Sequence, residues 1–128
     1  MMGNAVVVKQ SFLQSQREFL RNFIRAIGEA QIFVLSPMKK QAVLRVLTRR
    51  LSITDAAVAE DTLQDLLKRL DKKPIPSIQG LRNIQRFLQT RNPKVAEVKL
   101  EELIDDSIVR ELDKNGYFDR INAEYGVK

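Results

Sequence analysis

Apolar positions in the first 35 residues follow two patterns. Ala5–Val8 (AVVV) is a short β-branched run, which predicts a buried strand. Residues 10–35 then carry apolar side chains at spacings of three, four or seven, which predicts one long amphipathic helix. Its main stripe is Phe12, Phe19, Phe23, Ile27, Ala30 and Val34, widened by Leu13, Leu20, Ile24, Ile32 and Phe33. A helix with this many apolar side chains is expected to pack against other parts of the protein on two sides. Periodic aromatic residues favour a packed core over a ligand cleft.

Helical periodicity continues through the rest of the chain. Ser36-Pro37 marks a restart, Lys73–Pro76 contains two prolines that exclude a helix, and Asn115-Gly116 is a strong terminator. Further helices are predicted at 37–51, 54–70, 77–91, 100–114 and 118–124, with an extended connector at 94–99. The predicted fold class is mainly α, with five to six helices and one short strand at 5–8, in a single domain spanning 1–128.

Composition narrows the possible chemistry. The 128 residues are 44% hydrophobic and 30% charged, as in a globular domain, and only 6% are aromatic. The chain has neither cysteine nor histidine, so disulfides, thiolate nucleophiles and the commonest general base and metal ligand are all excluded. The scattered glycines form no phosphate-binding loop. We therefore expect a binding or structural protein that is not an enzyme and has no cofactor.

Two charged clusters are candidate sites. Glu101-Glu102 and Asp105-Asp106 could suggest a metal site or an acid–base pair, but adjacent residues diverge on a helix and acids suit a helix N-terminus. The net charge of +6 raises the possibility of nucleic-acid binding. The candidate basic face consists of Lys39, Lys40, Arg45, Arg49 and Arg50. Asp55 and Glu60 follow closely, so a solvated mixed-charge face is favoured and nucleic acid is not an expected partner. No catalytic, cofactor-binding or metal residue is assigned, and substrate-binding residues stay unknown.

The N-terminal sequence MMGNAVVVKQSF lacks the basic start and long apolar run of a signal peptide. No segment approaches the about 20 apolar residues of a membrane span. As written, the chain is expected to be cytoplasmic, with no membrane span.

Several segments, taken in order, resemble a known family. Val7–Leu13, Phe23–Ala30 and Lys40–Asp55 are similar to successive phrases in the C-terminal half of periplasmic substrate-binding proteins of the nitrate/sulfonate/taurine type, which serve ABC importers. The later segments Pro76–Leu81 (PSIQGL), Asn92–Lys94 (NPK) and Leu103–Phe118 are similar to the family's tail. Together these segments cover nearly the whole chain.

The resemblance implies part of one lobe of a type II periplasmic-binding-protein α/β fold. It implies the solute-binding component of an importer, working in the periplasm with a transporter permease and a small anionic or sulfonate-like solute. Most of the family's ligand contacts come from first-lobe strands and a second lobe that this chain does not contain. The resemblance therefore implies a truncated receptor, and no binding residue is carried over.

Two other functions remain open. Without a first-lobe sheet, the 5–8 strand and the 10–35 helix would expose apolar surface, and such surface promotes association. The alternative is therefore a stand-alone helical adaptor or scaffold that forms a homodimer or larger homo-oligomer through these two segments. The third possibility is a basic nucleic-acid-binding protein.

Overall fold

A computed structural model describes residues 5–128. Over this range the chain forms seven α-helices connected by short 3₁₀ turns and loops, and it contains no strand. The mainly α class is therefore confirmed. The helices are α1 (Gln10–Ser15), α2 (Arg17–Leu35), α3 (Lys40–Leu51), α4 (Ala56–Arg69), α5 (Ile78–Gln89), α6 (Ser107–Lys114) and α7 (Tyr117–Glu124).

The predicted strand at residues 5–8 is wrong. Residues 5–9 lie outside any helix or strand, and Val7 is 87% exposed. A strand needs a neighbouring backbone to complete its hydrogen bonds, and no second strand exists within 5–128 to provide one. The β-branched run therefore stays solvent-exposed.

The predicted helix at 10–35 is interrupted at Gln16. This residue has φ −123° and ψ 35°, which is not helical, and it separates α1 from α2. Hydrogen bonds bridge the interruption, since Gln16 N–H donates to Phe12 O at 2.8 Å and Leu20 N–H donates to Gln16 O at 3.0 Å. No glycine or proline marks this position in the sequence.

The boundaries of the next two helices differ from the predicted ones. The segment predicted as helix 37–51 starts as a 3₁₀ turn, Pro37–Lys39, before α3 begins. Asp55 caps α4, because its Oδ1 accepts from Ala57 N–H at 2.7 Å. Ser52 instead ends α3 in the left-handed conformation, with φ 53°.

The segment between α5 and α6 is less extended and less helical than expected. Ser77 caps α5, accepting from Gly80 N–H at 3.1 Å. Most of the predicted extended connector at 94–99 is a 3₁₀ turn, Pro93–Glu97. The predicted helix at 100–114 is wrong in its first half, where a 3₁₀ turn, Leu100–Glu102, precedes α6.

The core lies where α2 meets α6 and α7. Gly116 adopts φ 70°, which ends α6 as predicted and reverses the chain, so that Tyr117 and Phe118 fold back beside α6. Tyr117 Oη also donates to Arg25 O of α2 at 3.2 Å. The buried apolar cluster comprises Leu20, Ile32, Ile108, Val109, Leu112, Tyr117, Phe118 and Ile121.

The remaining helices pack mostly outside this core. α3 and α4 pack against each other, and α3 also contacts α2. α5 packs mainly against the two 3₁₀ turns that follow it. Lys73, in the loop between α4 and α5, holds that loop to the core through Asp113 and Asp119, at 2.6 and 2.9 Å.

Candidate functional site

The most prominent surface feature is an exposed apolar stripe along α1 and the first half of α2. We call it the α1–α2 face; it consists of Phe12, Phe19, Phe23 and Ile27, which are 40–58% exposed. The ring of Phe19 lies edge-on to Phe12, with centroids 6.1 Å apart, and nearly parallel to Phe23, at 6.4 Å. These rings contact one another, and each side chain remains 40–58% exposed.

The exposure of this face follows from the apolar character of α2 on two sides. One side buries Leu20, Gly28 and Ile32 against α6 and α7. Phe19 and Phe23 lie on the other side, where no described element covers them. The interpretation of the Phe stripe as packed core is therefore wrong, because the core occupies only one side of α2.

An open groove continues the same side of α2 toward its C-terminal end. We call it the α2–α3 groove; its volume is about 510 Å³ and its lining is mostly apolar. Ala26 and Ala30 form part of its wall, and their small side chains leave the hollow open. Tyr125 Oη donates to Glu29 Oε1 at 2.8 Å beside it. That hydrogen bond to Glu29 raises the pKa of the Tyr125 phenol.

The solvent-accessible surface of the whole molecule is larger than that of a compact protein of the same mass. It exposes 9598 Å². A compact monomer of 14.7 kDa exposes about 6,900 Å², so the excess is about 2,700 Å². The α1–α2 face and the open groove contribute to this excess. Exposed apolar patches of this kind typically mark surfaces that bind another protein surface.

The acidic candidates do not converge on a common point. Asp105 Oδ1 accepts from Ser107 N–H at 2.9 Å and from Ser107 Oγ at 2.5 Å, and these bonds lower its pKa. Asp106 pairs with Arg110 at 2.5 Å.

Farther from α6, the other two carboxylates also have separate partners. Glu101 pairs with Arg82 at 3.2 Å and Glu102 with Lys99 at 3.3 Å. Within residues 5–128, no group of three or more metal-ligating side chains comes together. Each of the four acids takes part in a local turn or an ion pair.

The basic candidates are partly neutralised. Lys40 Nζ lies 2.7 Å from Glu60 Oε1, a hydrogen bond that lowers the pKa of Glu60. Lys39 Nζ lies 5.9 Å from the ring centre of Phe33. Arg45, Arg49 and Arg50 are exposed on α3. The negative charge of Glu60 therefore partly offsets the positive charge of the basic face, as its position in the sequence suggested.

One ion-pair cluster was not anticipated from the sequence. Arg17 donates to Ser107 Oγ at 3.1 Å and pairs with Glu111 at 3.5 Å. Arg21 Nε lies 3.4 Å from the other oxygen of Glu111. The partners are about 90 residues apart in sequence, so no local spacing could have indicated the pairing. Its effect is to tie α2 to α6.

Comparisons with known proteins add no identification. No protein-family model, curated protein or solved structure matches this chain. No helix in residues 5–128 combines the length and apolar character needed to cross a membrane.

Proposed function

We propose that this chain is a binding module, not an enzyme, and that it belongs to the solute-binding component of an ABC importer of the nitrate/sulfonate/taurine type. The ordered similarity of its segments to that family supports this proposal. The single structural observation that carries it is the uncovered α1–α2 face. A helix with apolar residues on two sides is suited to lie between a helical layer and a second layer.

In this proposal the second layer is the sheet of the receptor's first lobe. The α1–α2 face would cover that sheet. The chain would then be part of one lobe of a type II α/β fold. The excess surface of about 2,700 Å² is of the size expected when a large contact is missing.

The remaining parts of the proposal follow from the resemblance alone. The complete receptor would work in the periplasm, deliver a small anionic or sulfonate-like solute to a permease, and bind it in a cleft between two lobes. No residue of this chain is assigned to that cleft. The contribution of this chain would be structural support for the first lobe.

The size of the native polypeptide tests this proposal directly. An antibody raised against the purified chain is used to blot extracts of the source cells. A band from a polypeptide more than twice the length of this chain supports the receptor proposal. Ligand screening is then done on that longer protein. A band at 14.7 kDa contradicts the receptor proposal.

A second candidate is a stand-alone adaptor that self-associates through the α1–α2 face. The same exposed aromatic stripe favours it, because a second copy could cover that stripe as well as a sheet could. In this case the native polypeptide has the length of this chain and a defined oligomeric state in solution. Light scattering on the purified chain at micromolar concentration measures that state.

A further inference from the structure

We propose that the C-terminal end of α5 binds the surface of a bilayer that contains anionic lipids. The binding surface, which we call the α5 tip, consists of Arg86, Phe87, Leu88, Arg91 and Lys94. This proposal goes beyond the proposed function and does not depend on it. It rests on the distribution of charge along the chain and on the apolar side chains that are exposed beside that charge.

The net positive charge of the chain is concentrated in one segment. Residues 72–96 contain six lysines and arginines and no aspartate or glutamate. The chain has 22 basic and 16 acidic residues in total, so the part outside this segment has 16 of each and a formal charge of zero. Residues 72–96 therefore account for the whole net charge of +6. A segment that carries charge of one sign attracts a surface of the opposite sign.

Much of this charge has no partner inside the molecule. Lys73 and Arg82 are held in ion pairs with acids elsewhere in the chain. Arg86, Arg91 and Lys94 are exposed at the end of α5 and in the turn that follows it. None of these three forms an ion pair with another residue in 5–128. Their positive charges are therefore available to an external anion.

The acids on the elements that pack against α5 offset only part of this charge. The two 3₁₀ turns after α5 contain three of them, Glu97, Glu101 and Glu102. Glu101 pairs with Arg82 and Glu102 pairs with Lys99. Glu97 is left as one carboxylate without an ion pair in 5–128, so the three unpaired cations of the α5 tip outnumber it.

Apolar side chains are exposed among these cations. Phe87 is 63% exposed, the largest fraction among the six phenylalanines of the chain, and Leu88 is also exposed. The guanidinium carbon of Arg91 lies 5.8 Å from the centre of the Phe87 ring. Arg86 and Leu88 lie about 100° to either side of Phe87 around the helix. Exposed Phe and Leu flanked by Lys and Arg are typical of helices that lie in the interface of an anionic bilayer.

These side chains favour a lipid surface over a nucleic acid. Single-stranded nucleic acid is bound in a positively charged groove that carries aromatic rings on which successive bases stack. The α5 tip has one ring, and α5 contributes no residue to the α2–α3 groove. Leu88 offers no ring to a base, whereas its side chain is suited to insert among acyl chains.

The α1–α2 face is the other large exposed apolar surface, but it lacks a comparable excess of charge. Residues 10–35 contain three arginines and two glutamates. Two of the arginines, Arg17 and Arg21, pair with Glu111 of α6. We therefore assign the lipid contact to the α5 tip.

Co-sedimentation of the purified chain with lipid vesicles tests the proposal. Vesicles of phosphatidylcholine mixed in equal parts with phosphatidylglycerol should bind the chain, whereas vesicles of phosphatidylcholine alone should not. Binding should weaken as salt is added, because salt screens the attraction between the cations and the lipid surface. Absence of binding to the mixed vesicles at low salt overturns the proposal, and so does equal binding to both kinds of vesicle.

Substitutions test the assignment to α5. Arg86→Gln and Arg91→Gln should each lower the partition coefficient for the mixed vesicles about fivefold, because each removes one cation near the lipid surface. Phe87→Ser leaves the charge unchanged and should lower the coefficient about tenfold. Arg49→Gln is the matched control, because it removes the same charge from an exposed site on α3. Equal losses for Arg49→Gln and Arg86→Gln would overturn the assignment, since only the net charge would then matter.

Circular dichroism accompanies these measurements. If Phe87→Ser lowers the helix content, the two arginine variants still decide the question. Fluorescence anisotropy with a labelled single-stranded oligonucleotide covers the other anionic partner. Binding of the oligonucleotide by a chain that does not bind the mixed vesicles overturns the proposal in favour of a nucleic acid.

The absence of tryptophan allows a second, independent test. Phe87→Trp places a single indole in the α5 tip, and its emission should shift to the blue when mixed vesicles are added, because the ring enters the apolar interface. Phe19→Trp is the matched control at a similarly exposed phenylalanine on the α1–α2 face. A shift for Phe19→Trp without one for Phe87→Trp would overturn the proposal.

Discussion

At the scale of single residues, Gly28 decides how closely α7 approaches α2. It is buried in α2, and a Cβ at this position would lie 2.8 Å from Cε1 of Phe118. The Phe118 ring is fully buried, so it has little room to move away. A glycine in the middle of a helix costs about 1 kcal/mol relative to alanine. The close contact of the Phe118 ring offsets that cost.

We expect Gly28→Ala to lower the free energy of unfolding by about 1–2 kcal/mol, because overpacking against Phe118 outweighs the gain in helix propensity. Urea denaturation measures the change. Phe118→Leu in the same background should recover part of the loss, since it removes the clashing ring atoms. A Gly28→Ala variant more stable than the original chain would show that Phe118 can adjust.

Asp105 is a second residue-scale determinant, because its side chain holds the turn that leads into α6. Its carboxylate accepts from the side chain and then the backbone of Ser107, and these bonds hold its pKa below the ordinary value. A lowered pKa in the folded state means that the carboxylate stabilises the fold above about pH 4 and that this contribution is lost as pH falls further.

Asp105→Asn should therefore lower the free energy of unfolding by about 0.5–1 kcal/mol near pH 7. The difference from the original chain should be smaller near pH 3, because the contribution of the carboxylate is lost as pH falls through its lowered folded-state pKa. Denaturation at the two pH values measures it. If the difference in the free energy of unfolding is the same at both pH values, the charge of Asp105 contributes nothing to stability.

At the scale of elements, the loop before α5 is attached to the core by Lys73. Its ammonium group donates to Asp113 of α6 and to Asp119 of α7. The hydrogen bond to Asp113, followed by that to Asp119, raises the pKa of Lys73. A raised pKa means that the stabilisation is complete below about pH 10.5 and is lost as pH rises through the folded-state value.

Lys73→Met should lower the melting temperature at pH 7. The difference from the original chain should narrow as pH rises through the raised folded-state pKa of Lys73, where the lysine loses its charge. Lys72→Met is the matched control, because the contact of Lys72 with the core uses its backbone oxygen, which accepts from Asn122 Nδ2 at 3.3 Å. An equal loss for both variants would contradict the role of the ammonium group.

At the scale of the whole molecule, the packing is uneven. α2, α6 and α7 share the buried apolar cluster, whereas α5 packs mainly on the 3₁₀ turns that follow it. Phe87 and Leu88 of α5 are exposed at 63% and 42%. Regions with few buried apolar contacts open at lower free energy than the core. The α5 region should therefore behave as a separate, weaker unit.

Hydrogen exchange followed by mass spectrometry should show amides of α5 exchanging faster than those of α6, although α5 is the longer helix. Fragments covering α2 should exchange most slowly around Gly28 and Ile32, which face the core. Equal protection of α5 and α6 would mean that the molecule opens only as one unit.

Local signals in the sequence were sufficient for the helices with clear caps and breakers. Ser77, the prolines around Ile75 and Gly116 act on neighbouring backbone atoms, so their effects do not depend on the rest of the chain. The interruption of the helix at Gln16 and the late start of α6 were missed because no residue type marks these positions in the sequence. The Arg17–Glu111 pair was missed because its partners are distant in sequence.

Sequence alone determined the helical class, the turn at Gly116 and the two-sided apolar character of α2, because these depend on residue type and spacing. Only the tertiary structure decided which side of α2 is buried. α6 and α7 cover Leu20, Gly28 and Ile32, and the aromatic stripe at Phe19 and Phe23 is left exposed. The apolar pattern is similar on both sides, so the choice depends on which distant helices dock. The proposed partners, a receptor sheet or a second copy, follow from that choice.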